Sequence, residues 1–489
     1  MQGRLTTRTP QKPALPTFRG VADLSLRKPE SIMSTATTIA PTDTIAAAAR
    51  RHGHWIDDWR PEDPDFWANG GARIARRNLI FSIFSEHIGF SIWTLWSVLV
   101  LFLGPAYGID PAQKFLLTAA PAALGSVVRL PYTFAVATFG GRNWTIISAL
   151  LLLIPAGLAA FLIQPGVSYT TLLIIACVAG VGGGNFASSM ANINAFYPQR
   201  LKGWALGLNA GGGNLGVAVV QLVGLTVLAT VGAGHPGLIA GIYIPLIVIA
   251  AVVSARYMDN LTQASNEKGA LREVSRDPHT WIMSILYIGT FGSFIGFGFA
   301  FGQVLQVQFK DSFATPVDAA YLTFLGPLLG SLIRPVGGAL ADRLGGARVT
   351  MVNFALMAAG ASVVLYASTV RSLPLYLLGF VLLFVFSGVG NGSTYKMIPA
   401  IFKAKSALAD LPPELAEPRA RRLSGALIGI AGAIGAFGGV LVNVAFRQSF
   451  LTTGSADAAY IAFIAYYALC LAITWFIYLR PAATRLPGV

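Results

Sequence analysis

Three basic side chains lie inside long apolar stretches of this 489-residue sequence and are its first candidates for chemistry. They are Arg129, Arg334 and Lys396, and Glu86 is the only carboxylate that lies equally deep. A charge at the centre of a membrane-spanning helix costs at least about 2.5 kcal/mol on insertion scales. Because positive charge exceeds negative charge at this depth, we expect a compensating anion and predict that this anion is the ligand.

Two of these residues, Arg129 and Arg334, occupy matched positions in the two parts of the chain. A Gly-Gly pair follows each arginine at the same offset, at 140–141 and at 345–346. An intramembrane arginine on its own can equally be a structural residue that donates to carbonyl groups near a helix break, and a proline lies within two residues of each. The matched pair, with too few acids to neutralise it, favours an anion site.

The neighbouring residue types suit a small planar anion. Guanidinium groups are weakly hydrated and offer forked donors to a planar oxyanion. Asn185, Ser189 and Asn192 have the spacing of one helical face, and Tyr287 and Phe291 are four residues apart. Aromatic rings can sandwich a planar group while amides and phenols orient it by hydrogen bonds. Taken alone, the Tyr287 and Phe291 spacing fits ordinary core packing as well.

The elements that hold these residues are predicted to be membrane-spanning helices. The chain is 54% hydrophobic and only 11% charged, whereas a soluble protein carries roughly a quarter charged residues. A bilayer needs about 20 apolar residues per helical span. We predict an all-α membrane protein with twelve spans, at about 78–103, 113–138, 144–164, 169–197, 203–232, 237–257, 280–306, 318–342, 348–369, 373–402, 423–447 and 457–480.

The two halves of the chain repeat each other, which predicts two pseudo-symmetric six-helix bundles. GVGGGNFASSM (180–190) in the fourth span corresponds to GVGNGSTYKM (388–397) in the tenth. Glycine ladders follow in the fifth and eleventh spans, at Gly203, Gly207, Gly211, Gly425, Gly429, Gly432 and Gly435. The predicted organisation is a disordered cytoplasmic tail (1–54), a first bundle (55–257), a cytoplasmic linker (258–279), a second bundle (280–480) and a cytoplasmic tail (481–489).

The net charge of +14 concerns membrane topology rather than nucleic acid. Basic residues crowd the loops on one side, which we call the basic end: Arg73, Arg76, Arg77, Arg142, Arg200, Lys202, Arg343, Arg348, Arg419, Arg421 and Arg422. The opposite loops hold Lys114, Lys310, Arg371 and Arg447. By the positive-inside rule both termini are cytoplasmic, so we predict a multi-pass protein of the bacterial cytoplasmic membrane.

An enzymatic function is not indicated by any motif in the sequence. There is no P-loop, no zinc-protease motif and no paired-cysteine metal motif, and Cys177 and Cys470 both lie in apolar runs. We therefore expect no cofactor and no metal. One loop does carry a signature: GALADRLGGAR (338–348) resembles the loop motif of the major facilitator superfamily, through Gly338, Asp342, Arg343, Gly345 and Arg348. That resemblance implies a motif that holds helix ends together in one conformation.

Longer strings resemble the nitrate/nitrite porter family, in order, from about residue 55 to residue 480. They are IDDWRPEDPDFW (56–67), RLPYTF (129–134), GGGNFASSMANINAFYP (182–198), GWALGLNAGGGNLGV (203–217), LYIGTFGSFIGF (286–297), RPVGGALADRLGGARVTMVNF (334–354) and GALIGIAGAIGAFGG (425–439). The resemblance implies that Arg129 and Arg334 clamp nitrate or nitrite between Phe186 and Phe291. It also implies a hydrogen bond from Tyr287, with Asn209 and Asn214 lining the path. The residue pattern alone adds Asn192 to this substrate-binding set.

Three residues depart from that family pattern, namely Glu86, His87 and Lys396. One interpretation makes them proton carriers, since His titrates near pH 6.5 and buried Glu or Lys can shift widely. The other is a permanent Glu86–Lys396 ion pair beside a hydrogen-bonded His87. The expected function is nitrate/nitrite exchange by a monomer through alternating access, with nitrate/proton symport or a passive anion channel as alternatives.

Overall fold

The computed structural model describes residues 50–51, 53–264, 268–409, 412–481, 486 and 489. The tail predicted for residues 1–54 therefore lies almost wholly outside the described residues, and so does part of the tail predicted for 481–489. In the described part, twelve long apolar helices confirm the predicted all-α membrane fold. These spans 1 to 12 are Pro64–Phe102, Pro111–Phe139, Gly141–Leu162, Tyr169–Phe196, Gln199–Val231, Gly237–Tyr257, Pro278–Gln308, Val317–Leu344, Gly346–Thr369, Leu373–Leu408, Leu415–Thr453 and Asp457–Leu479.

Short elements flank span 1 and lie between spans 6 and 7. Strand β1 (Arg50–Arg51) pairs with β2 (Trp55–Ile56), and β2 pairs in parallel with β3 (Asn260–Leu261). A short linker helix, Lys268–Ser275, precedes span 7. The strand pairing places the chain before span 1 beside the chain after span 6, as expected when an even number of crossings separates them.

The ends of spans 2 and 8 show the repeat in the backbone. Gly140 ends span 2 with φ +88°, and Gly345 ends span 8 with φ +90°. Both values lie in the left-handed region, which glycine adopts without the steric penalty of a Cβ atom. The matched Gly-Gly pairs of the sequence are thus matched helix ends, and each leads directly into the next span.

Several spans are interrupted at mid-length. Span 4 contains a 3₁₀ segment at Ala179–Gly184, and span 7 contains a π-turn at Ile288–Gly292. The glycines of span 4 allow close packing: a methyl group on Gly183 would lie 2.8 Å from the Cα of Gly125 in span 2. Such breaks free backbone carbonyl groups from the helical hydrogen-bond pattern, and these carbonyls become available to side chains.

The two halves contact each other firmly at the end opposite the basic residues, which we call the sealed end. Thr118 of span 2 donates to Asn443 of span 11 over 2.7 Å. The side-chain amide of Gln303 in span 7 donates to the carbonyl of Pro111 in span 2, also over 2.7 Å. These bonds join helices of different halves, so this end of the molecule is closed.

The glycine ladders are open near the basic end. A methyl group added to Gly207, Gly211 or Gly425 would meet no described atom within 4 Å. Towards the sealed end the ladder of span 11 packs tightly, and a methyl group on Gly435 would collide with the ring of Tyr287. The glycines therefore permit close helix approach deep in the protein, whereas Gly203 at the start of the ladder lies beside the Lys396 side chain of the other half.

Candidate functional site

The two intramembrane arginines meet at one aromatic ring. The guanidinium carbon of Arg129 lies 4.7 Å from the ring centre of Phe186, and that of Arg334 lies 5.9 Å from the same centre. The two cations are therefore separated by no more than the sum of these distances. Arg129 is fully buried and Arg334 is 6% exposed. The structure thus places one cation from each half on a shared surface in the protein interior.

Aromatic rings surround this pair of cations. The rings of Phe186 and Phe291 stack with their centres 6.2 Å apart and their planes 26° apart. Phe291 stacks in turn on Tyr287, at 5.2 Å. Arg129 also lies 5.0 Å from the centre of Phe291. Two guanidinium groups and three rings that the family resemblance implies therefore lie together in one compact cluster.

Backbone carbonyls hold Arg129 in place. Its Nε donates to the carbonyl of Gly183 over 3.1 Å, at the 3₁₀ break of span 4, and its Nη1 donates to the carbonyl of Gly432 over 2.9 Å, in span 11. Arg129 therefore does donate to carbonyl groups near a helix break, as expected of a structural arginine. This role does not account for the whole group, because Nη2 of Arg129 has no hydrogen-bond partner among the described residues.

Arg334 makes one longer hydrogen bond to the described residues. Its Nη2 donates to the hydroxyl of Tyr287 over 3.4 Å, and its Nη1 has no partner among the described residues. No ion pair formed by the described residues includes Arg129 or Arg334. A buried donor without an acceptor costs about 1–3 kcal/mol, and more when it is charged. Two charged donors of this kind beside one ring form a site that a bound anion would stabilise.

Glu86 lies beside this cluster but does not pair with Lys396. Its Oε2 accepts hydrogen bonds from Ser189 and, over 2.6 Å, from Asn209, while Oε1 has no partner within the described part of the chain. Lys396 instead forms an ion pair with Asp342 over 2.9 Å, and its side chain is 38% exposed. The predicted Glu86–Lys396 pair is therefore wrong. The long lysine side chain extends from span 10 to the basic end, where its charge is hydrated.

The polar face predicted in span 4 does not point towards the two arginines. Asn185 packs against Gly89 of span 1, Ser189 donates to Glu86, and Asn192 packs against Gly141 at the start of span 3. The structure therefore does not bring Asn192 to the arginine pair, contrary to the sequence expectation. The residue of span 4 that does contact both arginines is Phe186, which residue spacing alone did not select.

The remaining predicted residues surround the cluster. Asn209 binds Glu86, and Asn214 is fully buried with neither amide atom hydrogen-bonded to a described residue. His87 turns its Nδ1 to the carbonyl of Gly212 over 3.1 Å. In the loop motif, Asp342 binds Lys396, and Gly338 lies beside the Lys396 side chain. Gly345 forms the turn, and Arg343 and Arg348 are exposed.

Two site residues were missed by the sequence reasoning. The guanidinium carbon of Arg334 lies 5.6 Å from the ring centre of Tyr395, whose hydroxyl has no partner among the described residues. Trp93 lies 5.2 Å from the guanidinium carbon of Arg129. A sequence signal for Tyr395 is its position in the repeat GVGNGSTYKM, directly before Lys396.

Comparison with known proteins gives a family and a fold. The family model of the Major Facilitator Superfamily matches residues 79–442. The nitrate/nitrite transporter NarU of Salmonella typhimurium is 37% identical over 449 residues, covering 87% of this chain and 96% of the relative. The probable nitrate/nitrite antiporter NarK2 of Thermus thermophilus is 34% identical, covering 88% of this chain and 98% of the relative.

Solved structures of lower identity show the same fold. A D-xylose-proton symporter superposes with a TM-score of 0.64 at 15% identity, over 82% of this chain and 97% of the symporter. The xylose transporter XylE of E. coli, in a partially occluded inward-open conformation, gives a TM-score of 0.60 at 12% identity, over 84% of this chain and 99% of that protein. At these identities the likeness concerns the fold alone.

Proposed function

Since this chain belongs to the nitrate/nitrite porter family of the major facilitator superfamily, we propose that it carries nitrate and nitrite across the membrane by exchanging one for the other. The family comprises transporters, so the chain is not an enzyme. The names of the relatives support the substrates. The observation that carries the proposal is a pair of guanidinium donors, on Arg129 and Arg334, that lie beside the shared ring of Phe186 and bind no described residue.

The chemistry of this pair suits a small planar monoanion. Nitrate and nitrite are flat and carry one charge, so one face can lie against Phe186 or Phe291 while the edge oxygens accept from the free Nη atoms. Hydrogen bonds to charged groups contribute about 1.5–3 kcal/mol each. Tyr287 orients Arg334, and Asn209 and Asn214 line the route through the first half.

Alternating access is supported by the position of the two arginines, which lie between the halves. Arg129 and Arg334 belong to different halves, and their mutual repulsion opposes closure around an empty site. A bound anion neutralises part of this repulsion, which lets the halves rock against each other between the sealed end and the basic end. The empty carrier returns slowly, and this favours exchange of nitrate for nitrite. We place the protein, as a monomer, in the bacterial cytoplasmic membrane with its basic end and both termini in the cytoplasm.

The test is flux of labelled nitrate into proteoliposomes that contain nitrite. We expect internal nitrite to accelerate uptake in the wild type, whereas a passive channel shows no such acceleration. Arg129→Lys and Arg334→Lys each replace a forked, planar donor by a point charge and should lower flux about 100-fold. Arg256→Lys, at the exposed end of span 6, is the matched control and should transport normally. Wild-type flux in either clamp variant would contradict the proposal.

A further inference from the structure

Span 10 carries two polar side chains that lie in the protein interior without a hydrogen-bond partner among the described residues. They are Tyr395, through its hydroxyl, and Asn391, through both atoms of its carboxamide. Asn391 is fully buried, and Tyr395 is partly buried with its hydroxyl oxygen shielded from solvent. Buried polar groups are nearly always hydrogen-bonded in folded proteins, so two such side chains on one helix need an explanation.

The packing of span 10 shows which way these two side chains face. A methyl group on Gly392 would collide with the backbone of span 8, and Thr394 contacts span 7. Successive residues of an α-helix lie 100° apart, which places Asn391 and Tyr395 on the shorter arc between these two contacts. The two side chains therefore face the space between spans 7 and 8, one helical turn apart.

This space adjoins the anion site of the second half. The ring centre of Tyr395 lies 5.6 Å from the guanidinium carbon of Arg334 and 5.4 Å from the ring centre of Tyr287. The hydroxyl of Tyr287 accepts from Arg334, whereas the hydroxyl of Tyr395 binds no described residue. Spans 8 and 10 thus offer a cationic donor and a neutral donor beside each other.

We propose that Tyr395 and Asn391 bind the third oxygen of nitrate and so determine how the carrier distinguishes nitrate from nitrite. Two of the three oxygens of nitrate can accept from the Nη atoms of Arg129 and Arg334 that bind no described residue. The third oxygen then points away from the arginines, and a phenolic O–H and an amide N–H are donors for it. Nitrite has two oxygens and leaves these donors without an acceptor. The inference rests on the proposed function, since it concerns the anion held by the two arginines.

The two side chains act by adding affinity for nitrate rather than by excluding nitrite. A buried donor gains a charge-assisted hydrogen bond when the third oxygen arrives, and such a bond is stronger than one between neutral groups. A carrier that exchanges the two anions has to bind both, so its preference has to stay moderate. A hydroxyl and an amide, which are neutral, suit that requirement better than a third cation.

The test is the ratio of KM for nitrate to KM for nitrite, measured as counterflow into proteoliposomes loaded with nitrite. In Tyr395→Phe this ratio should rise about tenfold, through KM for nitrate alone, because a hydrogen bond to a charged group is lost. Tyr243→Phe is the matched control, since it removes a buried hydroxyl from a ring that packs in the apolar core of the first half. This control should keep the wild-type ratio. A ratio within twofold of the wild type in Tyr395→Phe would overturn the proposal.

Asn391→Leu provides a second test that includes a readout of stability. It replaces a buried amide that binds no described residue by an apolar side chain of similar size, so the melting temperature should not fall. The KM ratio should nevertheless rise about tenfold, as in Tyr395→Phe. A lower melting temperature with an unchanged ratio would make Asn391 a structural residue and contradict its role in the proposal.

Two further variants separate this inference from the proposed function. Tyr287→Phe removes the hydroxyl that accepts from Arg334, so it should weaken nitrate and nitrite alike and leave the ratio unchanged. A shifted ratio in Tyr287→Phe but not in Tyr395→Phe would assign the third oxygen to Tyr287 and overturn the proposal. Arg129→Lys should lower the flux of both anions, and normal flux there would refute the proposed function rather than the role of span 10.

Discussion

The two arginines are equivalent in sequence position but not in their surroundings. Arg129 is fully buried, donates to two backbone carbonyls and lies near three aromatic rings. Arg334 has one hydrogen bond of 3.4 Å and lies near two rings. Arg129 is therefore fixed in place by the backbone, whereas Arg334 is held loosely.

This asymmetry arises from the helix breaks. The 3₁₀ segment Ala179–Gly184 of span 4 frees the carbonyl that binds Arg129, whereas span 10 runs as one α-helix over Leu373–Leu408 and offers Arg334 no such carbonyl. A pseudo-symmetric transporter can thus use one cation to hold the anion and the other to respond to it. Three experiments test this difference between the two arginines and their surroundings.

The largest expected difference concerns stability. Arg129→Lys loses two hydrogen bonds from a charged donor to buried carbonyls, which should lower the free energy of unfolding by at least about 3 kcal/mol. Arg334→Lys loses one long bond to Tyr287 and should cost about 1 kcal/mol or less. Thermal unfolding of both purified variants in the same detergent measures this difference. Equal melting temperatures would mean that Arg129 is no more structural than Arg334.

A smaller effect is expected when the hydroxyl group that accepts from Arg334 is removed. Tyr287→Phe deletes the acceptor of Arg334 and leaves the stacking on Phe291 in place. Because this hydrogen bond is long, at 3.4 Å, we expect it to contribute only about 1 kcal/mol, so KM for nitrate should rise about fivefold. Counterflow at several nitrate concentrations gives KM and the maximal rate separately. An unchanged KM in Tyr287→Phe would show that Arg334 needs no orientation by this hydroxyl.

Much of this arrangement was predictable because charge in an apolar run is costly and therefore informative. Arg129, Arg334 and Glu86 could be selected from hydropathy alone, and the twelve spans from the lengths of the apolar runs. Hydropathy could not predict which of these charges form ion pairs with each other. Lys396 has the same sequence signature as a deep cation, but its flexible side chain carries the charge to Asp342 at the basic end.

Side-chain direction was also beyond the sequence, for a geometric reason. Asn185 and Phe186 are neighbours in span 4, about 100° apart around the helix, so one faces span 1 and the other faces the arginines. Helical periodicity groups residues into faces but does not say which face meets the site. The 3₁₀ break just before Asn185 adds a local change of phase that a uniform helical wheel does not represent.

The smallest expected effect belongs to the residue that periodicity assigned to the site and the structure places elsewhere. Asn192 lies six residues after Phe186, roughly 9 Å further along the helix axis, and packs against Gly141. Asn192→Ala should therefore leave KM for nitrate within about twofold of the wild type, because it alters a contact between spans 3 and 4 and no anion contact. Kinetics measured beside Tyr287→Phe provide the scale for this comparison. A rise in KM that matches or exceeds that of Tyr287→Phe would extend the anion route along span 4 and restore the polar face as part of the site.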